Sequence, residues 1–120
     1  MYFKRRFHDC QIRSLQLGKS ITLGLTSESE NNISICLENV VMFRARSLQE
    51  QNIVGAISFD PMGEYSLETF RNLVSSFQGP FDNEGYIERV YRKYSSFGLF
   101  DIEETLGMAA MAVCERVDIR

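Results

Sequence analysis

The residue types best suited to chemistry stand together near the start of the chain, at His8-Asp9-Cys10. An imidazole, a carboxylate and a thiol are the groups of a cysteine nucleophile with its base and orienting acid. In an extended strand, however, neighbouring side chains point to opposite faces, so His8 and Cys10 would share one side and Asp9 would not. We therefore predict that Asp9 or His8 satisfies backbone groups where the first strand enters the sheet. The sequence predicts no catalytic residue.

The remaining cysteines and carboxylates form no recognisable metal or redox motif. Cys36 and Cys114 are far from Cys10 and from each other, and no pair has CxxC spacing. The chain has one histidine, and no acidic loop has the spacing of a calcium-binding EF-hand. Glycine-rich phosphate loops and a GxSxG motif are absent. We therefore predict no cofactor, no metal and three reduced thiols.

Charge is unevenly distributed along a chain whose net charge is −3. Residues 1–60 carry 7 basic and 6 acidic side chains, whereas residues 61–120 carry 6 and 10. A general nucleic-acid-binding protein needs a net basic face, so this class is excluded. No apolar run approaches the roughly 18 residues of a membrane span, and no apolar segment follows the basic residues at the start. We predict a cytoplasmic protein with neither nucleic acid nor membrane as a partner.

Large aromatic rings crowd into residues 70–100, and they are the most informative feature for function. A helix that covers a sheet would bury most of them, but exposed tyrosines with a charged rim are typical of protein-binding surfaces. The alternative is that the tyrosines are buried under the sheet. We predict a partner-binding surface with tyrosine anchors and with carboxylates that steer a basic partner: Tyr86, Tyr91, Tyr94, Asp101, Glu103 and Glu104.

Three segments of alternating apolar residues must form the framework for these side chains. A period of two predicts strands with one buried face. Residues that face each other across an antiparallel pair share a side of the sheet, so Leu23 must lie opposite Leu15 on one strand and Ile35 on the next. This register makes 18–20 and 26–32 loops. The alternating residues are Leu15 and Leu17, then Ile21, Leu23 and Leu25, then Ile33, Ile35 and Leu37.

Breaks in the alternation predict where the strands bend. The parity of apolar positions shifts near Arg13–Ser14, which indicates a bulge. It shifts again at Glu38–Asn39, and we expect one bent strand to continue to about Ala45. Residues 52–59 are rich in β-branched side chains and predict a fourth strand, which ends at a turn over 60–63.

Helical spacing follows this meander. A helix is predicted over 67–77, with Ser66 as its N-cap and a stop at Gly79-Pro80. A second helix is predicted over 84–95. Its cap would be Asp82 or Asn83, and its basic residues would lie on the face opposite the tyrosines: Arg89, Arg92 and Lys93.

Residues 99–119 allow two structures. Asp101 and Glu104 have the spacing of a capping box, and the MAAMAVC segment has high helix propensity. A turn at Leu106–Gly107 between two apolar strands would instead make a β-hairpin. We favour the hairpin, because the four preceding strands otherwise lack partners.

These elements predict a single α+β domain over 1–120. Its core would be a twisted, mainly antiparallel sheet or partly open barrel, with one or two helices packed on it.

The order of these features resembles a loose class of small bacterial proteins. The shared features are the His8-Asp9 pair, the strand pattern that follows, and a final strand like 113–117. The position before the pair departs from the class, since Phe7 stands there in place of a tryptophan. Some members of this class resemble immunity proteins encoded beside toxins. The resemblance implies a partner-binding role and assigns no catalytic residues.

We carry two hypotheses for function. The first is a non-catalytic module that binds another protein, with an immunity-type inhibitor as one form of it. The second is a small enzyme or ligand-binding protein with a pocket between sheet and helices. A toxin gene beside the coding sequence would favour the first hypothesis, and a metabolic operon the second. The sequence leaves homo-oligomerisation open.

Overall fold

The computed structural model describes residues 7–77 and 84–120. These residues confirm the predicted α+β class, because they form two helices packed on an antiparallel sheet of eight strands. A short 3-10 helix, Met62–Glu64, follows the fifth strand. The elements are β1 (Gln11–Gln16), β2 (Ile21–Thr26), β3 (Asn32–Glu38), β4 (Met42–Arg46), β5 (Ile53–Pro61), α1 (Leu67–Ser76), α2 (Glu84–Lys93), β6 (Gly98–Leu106), β7 (Ala109–Cys114) and β8 (Arg116–Ile119).

The β1–β2–β3 meander has the predicted register. Leu15 lies opposite Leu23, and Leu23 lies opposite Ile35. The pairing slips by one residue at Arg13, where the bulge was expected. Leu23 and Ile35 are completely buried. Leu17, which was predicted on the buried face, is 71% exposed, because it lies just beyond the end of β1.

The predicted bent strand that continues to Ala45 is instead two strands. β3 ends at Glu38, Asn39 adopts a left-handed conformation with a φ of 54°, and β4 begins at Met42. Asparagine tolerates positive φ better than most residues. Its Nδ2 donates a hydrogen bond to Glu115 Oε1 at 2.7 Å. The second parity shift therefore marks a corner, after which the chain pairs with β7 instead of β2.

The strand order shows that the sheet is strongly curled. The order is β4-β7-β6-β5-β1-β2-β3-β8, so six strand positions separate β3 from β4 although only residues 39–41 join them. Such a link spans roughly 14 Å, whereas six strand spacings in a flat sheet would be about 29 Å. The sheet must therefore fold back on itself. Within the described ranges its end strands, β4 and β8, do not pair with each other, so it is not closed.

Two hydrophobic clusters lie on the two sides of the curled sheet. Strand β7 is buried at every position because its alternate side chains enter both clusters. The interior cluster contains Phe7, Cys10, Ile12, Ile21, Leu23, Leu25, Ile35, Leu37, Val54, Ile57, Phe100, Ile102, Met108, Ala110, Ala112 and Cys114. The helix cluster joins α1 and α2 to the other face and contains Met42, Met62, Phe70, Val74, Ile87, Val90, Leu99, Met111 and Val113.

Both predicted helices are present. Helix α1 begins after Ser66, whose hydroxyl accepts a hydrogen bond from the backbone N of Thr69 at 3.0 Å, as an N-cap does. No helix in residues 7–77 and 84–120 is long and apolar enough to cross a bilayer. The predicted boundary signals between the two helices lie outside the described residues: Gly79, Pro80, Asp82 and Asn83.

Strands β6 and β7 form the hairpin that was favoured for residues 99–119. The turn contains Gly107, with a φ of 83°, where a Cβ would also clash with Asn52. Asp101 and Glu104 lie on β6, so the alternative capping box is wrong. Tertiary pairing thus outweighs the helix propensity of the MAAMAVC segment.

The second strand of the hairpin predicted over 99–119 is interrupted at Glu115, between β7 and β8. Met111 and Val113 belong to the helix cluster, whereas Val117 and Ile119 pack on the interior cluster. A one-residue offset therefore moves the apolar side chains from one face of the sheet to the other.

Candidate partner-binding surface

Helix α2 carries two of the three tyrosines of the predicted binding surface, and Tyr94 directly follows its last residue, Lys93. The buried face of α2 consists of Ile87 and Val90, which are 2% and 4% exposed. Tyr86, Tyr91 and Tyr94 flank this face and are all half-buried. The sequence allowed either exposed tyrosine anchors or tyrosines buried under the sheet. The observed burial of these three rings is intermediate between the two.

Tyr91 is tied into the fold by both its hydroxyl and its ring. The hydroxyl donates to the carbonyl oxygen of Tyr65 at 2.6 Å, and the ring centroid lies 5.8 Å from that of Phe70. The Tyr65 hydroxyl in turn donates to Asp60 Oδ2 at 3.2 Å. Burial, with this carboxylate nearby, raises the pKa of Tyr65 to about 12. Tyr91 therefore holds α2 against the segment that follows β5, which is a structural role.

Tyr86 and Tyr94 line a groove along one border of the buried face of α2. Its other walls among the described residues are Arg89, Val90 and Lys93, and its volume is about 220 Å³. Lys93 Nζ lies 5.5 Å from the centroid of the Tyr94 ring, within the range of a cation–π contact. The groove therefore combines aromatic walls, an apolar floor and two cations.

Arg89 and Lys93 were missed as site residues, because we placed the basic residues on the face opposite the tyrosines. The signal that would have found them is the helical spacing itself. Residues three, four, seven and eight positions apart share one side of a helix. Counted from Tyr86, these positions are Arg89, Val90, Lys93 and Tyr94.

The predicted carboxylates lie on β6. Asp101 pairs with Met111, a member of the helix cluster, so its side chain points to the helix side of the sheet. Burial, together with Glu103 and Glu104, raises the pKa of Asp101 to about 6, although Arg46 acts in the opposite direction. Glu103 and Glu104 are exposed. Asp101 is therefore a poorer steering charge than its two neighbours.

Arg46 links these carboxylates to the helix layer. Its Nη2 lies 4.0 Å from Glu104 Oε1, and its Nη1 donates to the carbonyl oxygen of Ser76 at 2.7 Å. The guanidinium carbon lies 4.7 Å from the centroid of the Phe77 ring. Part of the acidic charge on β6 is thus offset by a cation that also caps the end of α1.

The six predicted residues belong to two separate regions. The tyrosines lie on α2 or directly after it, and the two that line the groove, Tyr86 and Tyr94, have Arg89 and Lys93 beside them. The three carboxylates lie on β6. Tyr65 connects the two regions, since it accepts the hydrogen bond from Tyr91 and its pKa is also raised by Asp101.

The triplet at the start of the chain lies in a turn and not in a strand. Asp9 has a left-handed φ of 65°, and its Oδ2 lies 3.1 Å from His8 Nδ1, with both side chains exposed. The backbone N of Asp9 donates to the carbonyl oxygen of Val54. Burial, followed by the charges of Asp9 and Glu28, raises the pKa of Cys10. This thiol is protonated at neutral pH, so the contact does not supply an activated nucleophile.

All three cysteines are unbridged, as predicted. Cys114 is completely buried, and burial raises its pKa to about 12. Cys36 is half-buried on β3. Among residues 7–77 and 84–120, no three His, Cys, Asp or Glu side chains form a group that could hold a metal ion.

A cleft of about 470 Å³ opens between β1 and the segment that joins β4 to β5. β1 and β5 pair only at Gln11 and Ile53 in the described residues, and the cleft lies beyond this pair. Its walls include Ile12 and Met108 of the interior cluster and also Leu48, which is 72% exposed. The second hypothesis placed a pocket between sheet and helices, whereas this cleft lies along the edge of β1.

The side chains that could bind a partner lie on or directly after α2 and on β6. The resemblance to immunity-type proteins rests on His8-Asp9 and the strand order, and it stays a prediction. Comparison of the chain with protein-family models, with curated proteins and with solved structures gives no match.

Proposed function

We propose that the protein is a non-catalytic module that binds another protein through the groove beside α2, and that it acts as an immunity-type inhibitor of that partner. The groove between Tyr86 and Tyr94 carries the proposal. Tyrosine and arginine are enriched among the residues that dominate binding energy at protein interfaces. Half-buried rings are already held by packing, so they lose little conformational freedom when a partner covers them.

Site-specific photo-crosslinking in the cells that make the protein tests this proposal. A photoreactive amino acid at position 92, an exposed position of α2 next to Lys93, should capture one protein reproducibly. The same residue at position 19 is the matched control, because Lys19 is exposed in the β1–β2 loop, outside α2. Equal capture at both positions, or at neither, would contradict the proposed binding surface.

The captured protein then tests the inhibitory role. Purified partner should lose its activity when the protein is added in stoichiometric amount. Tyr86→Ala with Tyr94→Ala should raise the dissociation rate about tenfold or more, since truncating anchor residues acts mainly on dissociation. A partner that binds but keeps full activity would contradict inhibition while leaving binding intact.

The carboxylates of β6 have a separate test. If they steer a basic surface of the partner, Glu103→Lys with Glu104→Lys should slow association, and the difference should vanish at high salt. An unchanged association rate at low salt would remove these two residues from the binding surface.

The cleft beside β1 favours a second candidate function, the binding of a small ligand. Its volume of about 470 Å³ lies within the range of small-molecule sites, and its lining combines apolar and polar side chains. A metabolite library screened by thermal shift tests this function. A hit should raise the melting temperature of the wild type but not that of Leu48→Glu, which places a charge at the rim. A screen without a hit would count against ligand binding.

A further inference from the structure

The charge of α2 differs from the charge of the chain as a whole. The protein has a net charge of −3, yet Arg89, Arg92 and Lys93 are all exposed on this one helix. Arg92 is neutralised locally, because its Nη2 lies 2.9 Å from Glu88 Oε1. In the described part of the chain, Arg89 and Lys93 form no ion pair. Two like charges four residues apart destabilise a helix, so this pair is unfavourable for the isolated fold.

Concave surface lies on both sides of the Arg89–Lys93 pair. On one side is the groove of about 220 Å³ between Tyr86 and Tyr94. On the other is a wider depression of about 550 Å³, lined among the described residues by the same two cations together with Gly85, Glu88 and Arg92. A chain segment that crosses the helix would therefore meet both cations between two recesses.

The narrower groove has the size and chemistry for one apolar side chain. Drug-sized ligands occupy pockets of roughly 300–1,000 Å³, and this groove is smaller. Its floor is Val90, which is 4% exposed, and its two rings lie eight residues apart, about 12 Å along the helix axis. An aromatic or large aliphatic side chain would fit between the rings, with carboxylates on either side reaching Arg89 and Lys93.

Taking the proposed binding function as given, we infer that the Arg89–Lys93 pair and the groove between Tyr86 and Tyr94 bind a short acidic segment of the partner, with one large apolar side chain in the groove. Charge complementarity identifies this occupant. A long polyanion such as nucleic acid would extend beyond α2 onto a protein of net negative charge, where it would be repelled. A short acidic segment meets only the local positive field.

A synthetic peptide of aspartate and glutamate residues around one central phenylalanine is the probe. Binding to the full chain is followed by NMR chemical-shift mapping and by fluorescence anisotropy. Perturbed resonances should cluster on 86–94, and affinity should fall about fivefold or more from low to high salt. The matched peptide with asparagine and glutamine in place of the acids should bind about tenfold more weakly or not at all.

Variants with matched charge changes separate the local site from net charge. Arg89→Glu with Lys93→Glu should lose binding, whereas Arg13→Glu with Lys19→Glu, which alters the net charge equally at exposed residues outside α2, should retain it. Arg89→Gln with Lys93→Gln is the milder variant if the reversal unfolds the protein, and it should also weaken binding.

Several outcomes would overturn the inference. They are equal binding of the acidic and neutral peptides, retained binding in both Arg89–Lys93 variants, perturbations that map to β6 and not α2, or tighter binding of a single-stranded oligonucleotide than of the peptide. If the peptide fails while photo-crosslinking at position 92 still captures a protein, the inference is wrong and the proposed function stands. If crosslinking captures nothing, the proposed function itself is wrong.

Discussion

The interior cluster and the helix cluster share β7 as a common wall, but their chemistry differs. Every described member of the interior cluster has an aliphatic, phenylalanine, methionine or cysteine side chain. The margin of the helix cluster instead contains four tyrosines, and Asp101 faces the same side of the sheet. The difference arises because the helices cover only part of the outer face, so side chains at their margin can bury a ring and keep a polar atom near water.

This comparison separates the part of the molecule that determines the fold from the part that can recognise a partner. Groups with a polar end and an apolar body are useful at an interface, because they pack in the free protein and are still available for contact. The interior cluster offers no such groups. We therefore expect substitutions inside it to change stability alone, and substitutions at the margin of the helix cluster to change stability less.

The largest effect should come from Leu23→Ala in the interior cluster. Leu23 is completely buried between Leu15 and Ile35, so its truncation leaves a cavity that costs about 2–5 kcal/mol of unfolding free energy. Leu17→Ala is the control from the same meander, because Leu17 is 71% exposed and should change stability by less than about 0.5 kcal/mol. Urea denaturation measures both. Similar values for the two variants would contradict the assigned buried face.

A smaller effect is expected from Asp101→Asn at the margin of the helix cluster. Asp101 has its pKa raised from 3.8 to about 6, so the folded state holds a proton that the unfolded state has already released between these values. Wild-type stability should therefore fall as pH rises from about 4 to 6. The full shift would correspond to ~3 kcal/mol, which solvent screening of a partly exposed carboxyl reduces to about 1–2 kcal/mol.

The asparagine variant should consequently be more stable than the wild type at pH 7 and equal to it near pH 4. Thermal melts across this range measure the difference. Glu103→Gln is the matched control, since Glu103 is exposed on the same strand and its substitution should leave the pH dependence largely in place. Parallel pH profiles for the wild type and Asp101→Asn would show that Asp101 is solvated.

Tyr91→Phe should cost about 0.5–1.5 kcal/mol. The variant keeps the ring beside Phe70 but loses the 2.6 Å hydrogen bond to the carbonyl oxygen of Tyr65. Tyr94→Phe is the comparison, because the Tyr94 hydroxyl makes no hydrogen bond within the described residues, and its removal should be nearly neutral. If urea melts of the two variants coincide, the Tyr91 hydroxyl does not help to hold α2 against the segment that follows β5.

The smallest perturbation is thiol labelling of the wild-type protein, which tests the interior cluster without a substitution. Cys10 and Cys114 are buried in the interior cluster, whereas Cys36 is half-buried on β3. A thiol reagent at neutral pH should therefore modify Cys36 first, and the other two only as fast as the protein opens. Rapid modification of Cys114 without denaturant would mean that the interior cluster is accessible.

Local patterns in the sequence were sufficient for the β1–β2–β3 meander. A one-residue slip would have moved every apolar side chain to the wrong face, so the positions of Leu15, Leu23 and Ile35 left one register. Both helices were also predicted from local patterns. Buried residues recur at helical spacing in each, and Ser66 marks the start of α1. These features depend on neighbours within a few positions along the chain.

Only some residues of the candidate site were predicted, because the site depends on which side chains meet in three dimensions. The tyrosines of α2 were found from their abundance, but their partners were assigned from the average charge of residues 61–120. Average charge does not specify which side chains meet. The structure places Arg89 and Lys93 beside the tyrosines, while Glu103 and Glu104 belong to another element.

The sequence by itself determined which segments pair locally, which faces are buried and where one helix begins. Only the tertiary structure decided that β4 pairs with β7 and β3 with β8, that the sheet curls, and that Asp101 lies against the helix side. The β4–β7 and β3–β8 pairings join residues 63 to 84 positions apart. Such pairs are chosen by the shape of the complete core, and alternation along one strand carries no information about its distant partner.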